Sequence, residues 1–342
     1  MTVRWGWGGL LAIWRMLRWS RVRQGFQSLI SYYRARWRLG WQPPAYPLFL
    51  SVEPTTACNL RCPLCLSGTR GFTRPTGTLN PELLAQLLQE LHPYLWGVLF
   101  YFQGEPLLHP ALPQLISYAS RYRLLTSLST NGHLLTEERC YQLILAGLTH
   151  IRISLDGMTP TSYAQYRRGG NLEEVLAGIA RLLSMRQALR SLFPLVEVQF
   201  IVFRHNLAEI EAFRQWAKSQ PIDRVRLKTA HLPELTPAAY AEWVPPEFSR
   251  YVPDASGRPR LRKPPPNRCW RLWRATEITW DGRVVPCCFD KDARYMFGQL
   301  GEASFTHIWR GPQAEAFRRQ VFQNRESIDI CQNCTEGIRP WA

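Results

Sequence analysis

At 342 residues, 46% apolar and 12% aromatic, the chain can bury a full core, which excludes a disordered or low-complexity protein and leaves room for one large domain plus a small one. Nine cysteines, five of them after residue 268, are too few for a disulfide-rich secreted scaffold and too clustered for scattered core thiols, so metal ligation is the better expectation. The formal net charge is +16 and unevenly spread: the first 45 residues hold eight arginines and no acid.

That first segment, residues 1–45, reads as a basic Trp/Arg-rich amphipathic helical stretch. It carries six of the fourteen tryptophans, and its longest uncharged run, Trp5 to Trp14, is too short to span a bilayer. Its basic residues mostly follow the apolar run and no small-residue cleavage site closes it, which excludes a secretory signal. Two readings fit: a helix lying on an anionic membrane surface, or a helix packed on the main domain with a solvated arginine face. Nucleic acid ranks behind both, because only four lysines accompany thirty-eight arginines, a ratio that coding bias also produces.

From residue 48 apolar strand-like runs alternate with helix-period stretches. The strands are "LFLSVE" (48–53), "GVLFYFQ" (97–103), "LLTSLS" (124–129), "HIRISL" (150–155), "VEVQFIVF" (196–203) and "DRVRLKT" (223–229). Helix starts are legible between them, as in "NPELLAQLLQEL", with Asn80 as cap and Pro81 in the first turn, and "TEERCYQLILAG", ending at Gly147. Six parallel βα units predict an α/β fold, a partial (β/α)6 TIM-like barrel over residues 46–229, with ligands at the carboxyl ends of the strands. Residues 230–266 contain nine prolines and no sustained periodicity, as a linker or cap would. Residues 267–342 form a small cysteine-bearing module. Within it "ATEITWDGRVVPCC" predicts a β-hairpin turning at Asp281-Gly282.

"TTACNLRCPLC" places Cys58, Cys62 and Cys65 directly after the first strand. Three thiolates can hold three irons of a cubane and leave the fourth open to a ligand. A lone zinc or redox loop needs a fourth thiol or histidine nearby, and the next histidine, His92, lies beyond a predicted helix. Downstream, "QGEP" (103–106), "STNG" (129–132) and "SLDG" (154–157) end the second, third and fourth strands. Each has an ordinary alternative, Glu105 as a helix cap and the Asn-Gly and Asp-Gly pairs as turns, but all fall on one end of the sheet.

With these motifs the chain resembles the radical S-adenosylmethionine (radical SAM) enzymes over most of its length. The resemblance implies that Cys58, Cys62 and Cys65 hold a [4Fe-4S] cluster that binds S-adenosylmethionine. It gives Glu105 the methionine amino group; Gln103 stands where the family usually has glycine. It implicates Ser129, Thr130 and Asn131 in ribose and methionine contacts, and places Ser154 and Asp156 near the cofactor. Arg167 matches the arginine that holds the methionine carboxylate, with Arg168 as the neighbouring alternative. Asn206 is implied along the adenine, and Leu64, often aromatic in relatives, would cover the purine.

The last 76 residues resemble the SPASM/twitch extensions of the same superfamily, with Cys269, Cys287, Cys331 and Cys334 holding one auxiliary [4Fe-4S] cluster. Successive strand residues face opposite ways, so Cys287 and Cys288 should not both ligate it, and the choice between them stays open. A closed zinc site from the same four is the alternative. Cys140, inside a helix-period segment, reads as a buried apolar thiol.

Reductive cleavage of S-adenosylmethionine is the implied chemistry, with a one-electron donor such as a flavodoxin or ferredoxin and hydrogen abstraction from a peptide or protein substrate. Sugar, lipid-linked or small-metabolite substrates are the alternatives. Anaerobic sulfatase maturases have an aspartate directly after the Cys287 position, where Cys288 stands here and Asp290 follows two residues on, which argues against their alcohol-oxidising activity. A reading from another class is a non-catalytic iron-sulfur or zinc protein whose basic arm binds RNA or a partner. The expected location is the cytoplasm, with the first 45 residues as a route to the inner membrane face.

Overall fold

The computed structural model describes residues 17–337. Helix α1 (Trp19–Arg36) comes first, and its helical period separates two faces. Arg21, Gln24, Gly25, Ser28, Ser31, Tyr32 and Ala35 are buried on one, while Trp19, Phe26, Ile30 and, just past the helix, Trp37 are exposed on the other. Tyr32 is wholly buried among Tyr33, Trp270, Trp273 and Phe322, and Trp273 Nε1 donates to Ser31 Oγ at 2.8 Å. Arg21 donates to the carbonyls of Tyr122 and Arg123, at 2.7 and 3.0 Å. The packed-helix reading therefore holds for this stretch, and residues 1–16 lie outside the described part.

Six parallel strands follow: β1 (Phe49–Val52), β2 (Gly97–Phe100), β3 (Leu125–Thr130), β4 (His150–Ser154), β5 (Leu195–Val202) and β6 (Arg224–Thr229), each pairing with the next. Helices α2 (Pro81–Leu91), α3 (Leu112–Arg121), α4 (Glu137–Leu145), α5 (Leu172–Ala188) and α6 (Ile210–Ser219) cross over between them. Asn80, Thr136 and Asn171 cap α2, α4 and α5 by accepting from backbone N–H groups of the first turn. Strand alternation gives the sheet two unlike faces. Ile151, Ile153, Val196, Val198, Phe200 and Val202 pack outward with helix residues such as Leu182 and Phe213 in one apolar core. The opposite face carries Ser127, Ser129, His150, Arg152, Ser154, Glu197 and Gln199, matched across the ladder by register.

The proline-rich 230–266 stretch, expected as a linker or cap, folds into a helix over Pro237–Trp243 and an antiparallel pair, β7 (Tyr251–Pro253) with β8 (Pro259–Leu261), and Leu232 N donates to Tyr251 Oη at 3.1 Å. Proline fixes these segments through its ring rather than through a repeating period, so periodicity misses them. The C-terminal hairpin joins the barrel sheet. Strand β9 (Ala275–Ile278) pairs in parallel with β1, β10 (Arg283–Val285) returns antiparallel, and β11 (Gly298–Gln299) extends the same sheet to nine strands among the described residues. Its turn holds three residues rather than two: Thr279 N donates to Arg283 O at 3.0 Å, and Gly282 takes φ +87°.

Candidate active site

Backbone bonds assemble the strand-end loops before any side chain acts. Glu105 N donates to Ala57 O at 2.7 Å and Arg61 N to Arg168 O at 2.8 Å, drawing the QGEP and YRR segments onto the cysteine loop. Gly104 makes the first contact feasible: at φ +73° a Cβ would stand 2.1 Å from Thr55 O. Ser67 Oγ accepts from Gly104 N at 2.8 Å and donates to Gln103 Oε1 at 3.4 Å, so Gln103 serves the loop's packing.

All nine cysteines are free thiols. Burial pushes the Cys58 thiol up to about 12, and the neighbouring Cys65 and Cys62 add to it. Crowded, desolvated thiols of this kind ionise only when a cationic group takes the charge. Leu60 N already donates to Cys58 Sγ at 3.4 Å, and Arg167 Nη1 to Cys62 Sγ at 3.9 Å, as donors around a thiolate ligand do. Among the described residues no three His, Cys, Asp or Glu side chains converge to hold a single metal ion. A cubane presents a separate iron to each thiolate and needs no common point.

Beside this loop Glu105 is 2% exposed. Its Oε1 accepts from Thr130 Oγ1 at 2.6 Å and Leu107 N at 3.1 Å, and its Oε2 from Asn131 N at 2.8 Å. The helix-cap alternative is thus realised too, through Leu107. Burial pushes its carboxyl up against these bonds, and among the described residues no basic side chain pairs with it. Asn131 Nδ2 donates to Asn59 Oδ1 at 2.8 Å, and its Oδ1 accepts from His133 N at 3.1 Å. Ser129 and Ser154 lie buried at the ends of β3 and β4.

Asp156, fully buried, is occupied by the protein. Its Oδ2 accepts from Arg167 Nε at 2.7 Å and its Oδ1 from Ile201 N at 2.6 Å. Asn206 is likewise committed: Oδ1 accepts from Phe203 N at 2.7 Å, and Nδ2 donates to Asp156 O at 2.9 Å and Ile201 O at 3.0 Å. Both donor hydrogens are spent on the protein and one lone pair of Oδ1 is left, so the Asn206 amide clamps the ends of β4 and β5. Leu64, like Cys58 and Cys65, packs against the apolar cluster that holds Leu60 and Cys62.

In the C-terminal module Cys269, Cys287, Cys331 and Cys334 are all buried. Burial pushes Cys331 up to about 11 and Cys334 up to about 12, each raised further by Cys269. Arg325 sits among these thiols, with Nη1 donating to Arg268 O at 2.8 Å and Nη2 to Glu336 O at 3.1 Å. Its Nε is buried without a partner among the described residues, a donor suited to a cluster sulfur. Cys287 is buried and Cys288 half-buried. Asp290, 1% exposed, accepts from Arg294 N and Tyr295 N at 2.8 and 2.9 Å and is a loop clamp, not a surface turn. Cys140 lies in the core, as expected.

Tyr101 carries no motif, yet it lies within electrostatic reach of Cys65, Cys58 and Arg167 on one side and of Cys288 on the other. It is 36% exposed. Only its parity with Leu99, one residue past the end of β2, could have signalled an inward position.

A barrel that gathers three thiols and a buried carboxylate without an ion-pair partner among the described residues at its strand ends, beside a four-thiol module, defines an iron-sulfur protein built around a polar ligand. Residues 52–217 match the Radical SAM superfamily and residues 269–335 match the SPASM iron-sulfur cluster-binding domain. The chain belongs to the radical SAM enzymes that carry a C-terminal SPASM domain. Its cofactors are accordingly a [4Fe-4S] cluster with S-adenosylmethionine and an auxiliary iron-sulfur cluster.

Solved structures share the fold. BtrN in complex with AdoMet and 2-DOIA aligns with TM-score 0.52 and 18% identity, over 85% of this chain and 94% of that one. Native anSMEcpe with bound AdoMet aligns with TM-score 0.59 and 15% identity, over 84% and 88%. Streptococcus suis SuiB aligns with TM-score 0.59 and 12% identity, over 92% and 76%. Among the described residues no helix is long and apolar enough to cross a membrane.

Proposed function

We propose that Cys58, Cys62 and Cys65 ligate the cluster that binds S-adenosylmethionine, that Glu105 receives the methionine ammonium, and that Arg167, held in place by Asp156, faces the carboxylate. Glu105 carries this reading: it is a buried carboxylate with no ion pair among the described residues, Arg167 favouring its charge only through space, and a ligand ammonium would be its direct partner. Thr130 and Asn131 fix that carboxylate, and Ser129 and Ser154 offer hydroxyls on the same face. Cys269, Cys287, Cys331 and Cys334 hold the auxiliary cluster, with Arg325 as its buried cation. In functional terms 46–229 is the S-adenosylmethionine barrel, 267–342 the auxiliary module, and 1–45 and 230–266 their supports.

When bound, the first cluster supplies the electron, drawn from a flavodoxin or ferredoxin, that cleaves S-adenosylmethionine to methionine and a 5'-deoxyadenosyl radical, which takes a hydrogen atom from the substrate. This chain's own residues hold the ligand in register and keep water out.

The substrate on this reading is a peptide or protein. Its support is that two structures of the same fold were solved with peptides, anSMEcpe with the Cp18Cys peptide and SuiB with precursor peptide SuiA. A small cyclic substrate is the second reading, because BtrN was solved with 2-DOIA. For the membrane reading of residues 1–45, the support is the exposed row Trp19, Phe26, Ile30, Trp37 flanked by Arg18, Arg23 and Arg34. If a Trp19→Ser/Phe26→Ser variant floats with anionic vesicles as well as wild type does, that reading is lost.

Anaerobic reconstitution tests the whole proposal. Protein given reductant and S-adenosylmethionine should release 5'-deoxyadenosine and carry about eight irons per chain from two cubanes. Release of the same amount by a Cys58→Ala/Cys62→Ala/Cys65→Ala variant would overturn it.

A further inference from the structure

Strand β6 presents Arg224, Arg226 and Lys228 at alternate positions. Alternation puts all three on one face. That face is the site side: Arg224 and Arg226 stand opposite Glu197 and Gln199 of the polar face, and Lys228 stands opposite Ile201, which packs against the apolar cluster that includes Cys62. The row spans about 13 Å, with about 6.6 Å between neighbours.

The charges on this wall do not balance. Fully buried Glu197 takes Arg152 Nε at 2.6 Å, Arg226 Nε at 3.0 Å, Arg224 Nη1 at 3.5 Å and His150 Nε2 at 3.6 Å. One carboxylate cannot neutralise three guanidiniums. The Lys228 side chain makes no hydrogen bond or ion pair among the described residues; burial, then Arg152, lowers its pKa, and Glu336, whose charge also reaches Arg226, only partly opposes this. A purely structural ion pair would stop at Glu197 and leave no reason for a half-buried lysine above it. Desolvated cations held side by side are costly until an anion arrives.

Position selects the anion. β6 is the terminal strand of the sheet, pairing only with β5 among the described residues, and is partly or fully exposed along its whole length. Lys228 lies within electrostatic reach of Cys288, as does Tyr101, which also reaches Cys58 and Cys65. The row therefore runs along the terminal strand from Lys228, within electrostatic reach of Cys288, toward Arg224, with Arg250 bonding Thr229 just beyond Lys228. An extended peptide repeats same-side side chains at about 6.6 to 6.8 Å, the spacing of this row, and an open edge accepts one as an added strand.

We propose that the inner face of β6 is a substrate subsite, in which carboxylates at alternate residues of an extended acidic peptide meet Arg224, Arg226 and Lys228. This rests on the peptide reading above and names its substrate class. The probe is a fluorescein-labelled octapeptide of alternating Glu and Thr, with a Gln-for-Glu version as its neutral counterpart. Binding to the reconstituted enzyme is followed by fluorescence anisotropy. The test variant is Arg224→Gln/Lys228→Gln, which leaves Arg152 and Arg226 on Glu197, and the control is Arg34→Gln/Arg38→Gln, with the same charge change in the last turn of α1 and just past it.

The expected result is binding of the Glu peptide but not the Gln peptide, weakened about tenfold or more in the test variant and little in the control. Equal binding of the two peptides, or equal weakening in both variants, would overturn the subsite. Displacement of the Glu peptide by inorganic phosphate at lower concentration than by free unlabelled peptide would overturn the peptide as its occupant. Formation of 5'-deoxyadenosine without peptide should be unchanged in the test variant. Its absence from wild type would sink the reaction reading separately, since anisotropy reads the charged row by itself.

Discussion

The site turns on groups whose bonding is incomplete. Glu105 has one lone-pair direction left after its three donors, beside crowded thiols. A Glu105→Gln substitution keeps the shape and removes the charge. It should leave iron content unchanged and weaken S-adenosylmethionine binding by about 1.5 to 3 kcal/mol, roughly 10- to 100-fold, measured by calorimetry on the reconstituted protein. Asp156→Asn should raise the KM for S-adenosylmethionine more than it lowers kcat, because Asp156 aims Arg167 rather than touching the ligand. Asn206 shows where motif reading stops. Its segment was legible after the fifth strand, but whether an amide faces a purine or knots two strand ends depends on the hydrogen bonds left over once the strands are side by side.

Among elements, α1 departs most from its appearance in sequence. Arginine and tryptophan in a row suggest a surface helix, yet Tyr32 is buried amid four aromatic rings and Arg21 binds carbonyls that end the α3 region. Tyr32→Ala should cost about 3 to 5 kcal/mol, whereas Trp19→Ser, on the opposite face, should stay within about 0.5 kcal/mol; chemical denaturation of the two variants reads the difference. Deleting residues 1–45 would remove that packing along with the exposed face. The barrel strands were legible within a few residues, because their outward faces are continuous apolar runs with capped helices between them. The short elements after residue 230 were not, since proline-fixed turns and a three-residue strand carry no period to detect.

At the scale of the molecule, the charged wall couples β4, β5 and β6. Burial alone would raise the Glu197 carboxyl, but His150, Arg152 and Arg226 overrule it and hold it well below the usual carboxylate range. A carboxyl with a lowered folded pKa stabilises the protein fully above its ordinary value and loses that contribution as acid protonates it. Glu197→Gln should therefore be about 3 to 5 kcal/mol less stable than wild type near neutrality, with the gap closing below about pH 4, followed by tryptophan fluorescence during denaturation.

The N-terminal and C-terminal parts are joined as firmly as the strands are. β9 lies on β1, and Arg74 links Glu53, at 2.6 Å, to Lys291 O, at 2.7 Å. By itself the sequence determined the alternating strand pattern, the cysteine spacing and the strand-end motifs, because these depend on chemistry repeated locally along the chain. Only the tertiary structure decided that the hairpin joins the barrel, that Asp156 and Asn206 are spent on the scaffold, that Tyr101 comes within electrostatic reach of both Cys65 and Cys288, and that three guanidiniums and a histidine share one carboxylate. Each of those depends on which groups meet across the fold and which are left without a partner.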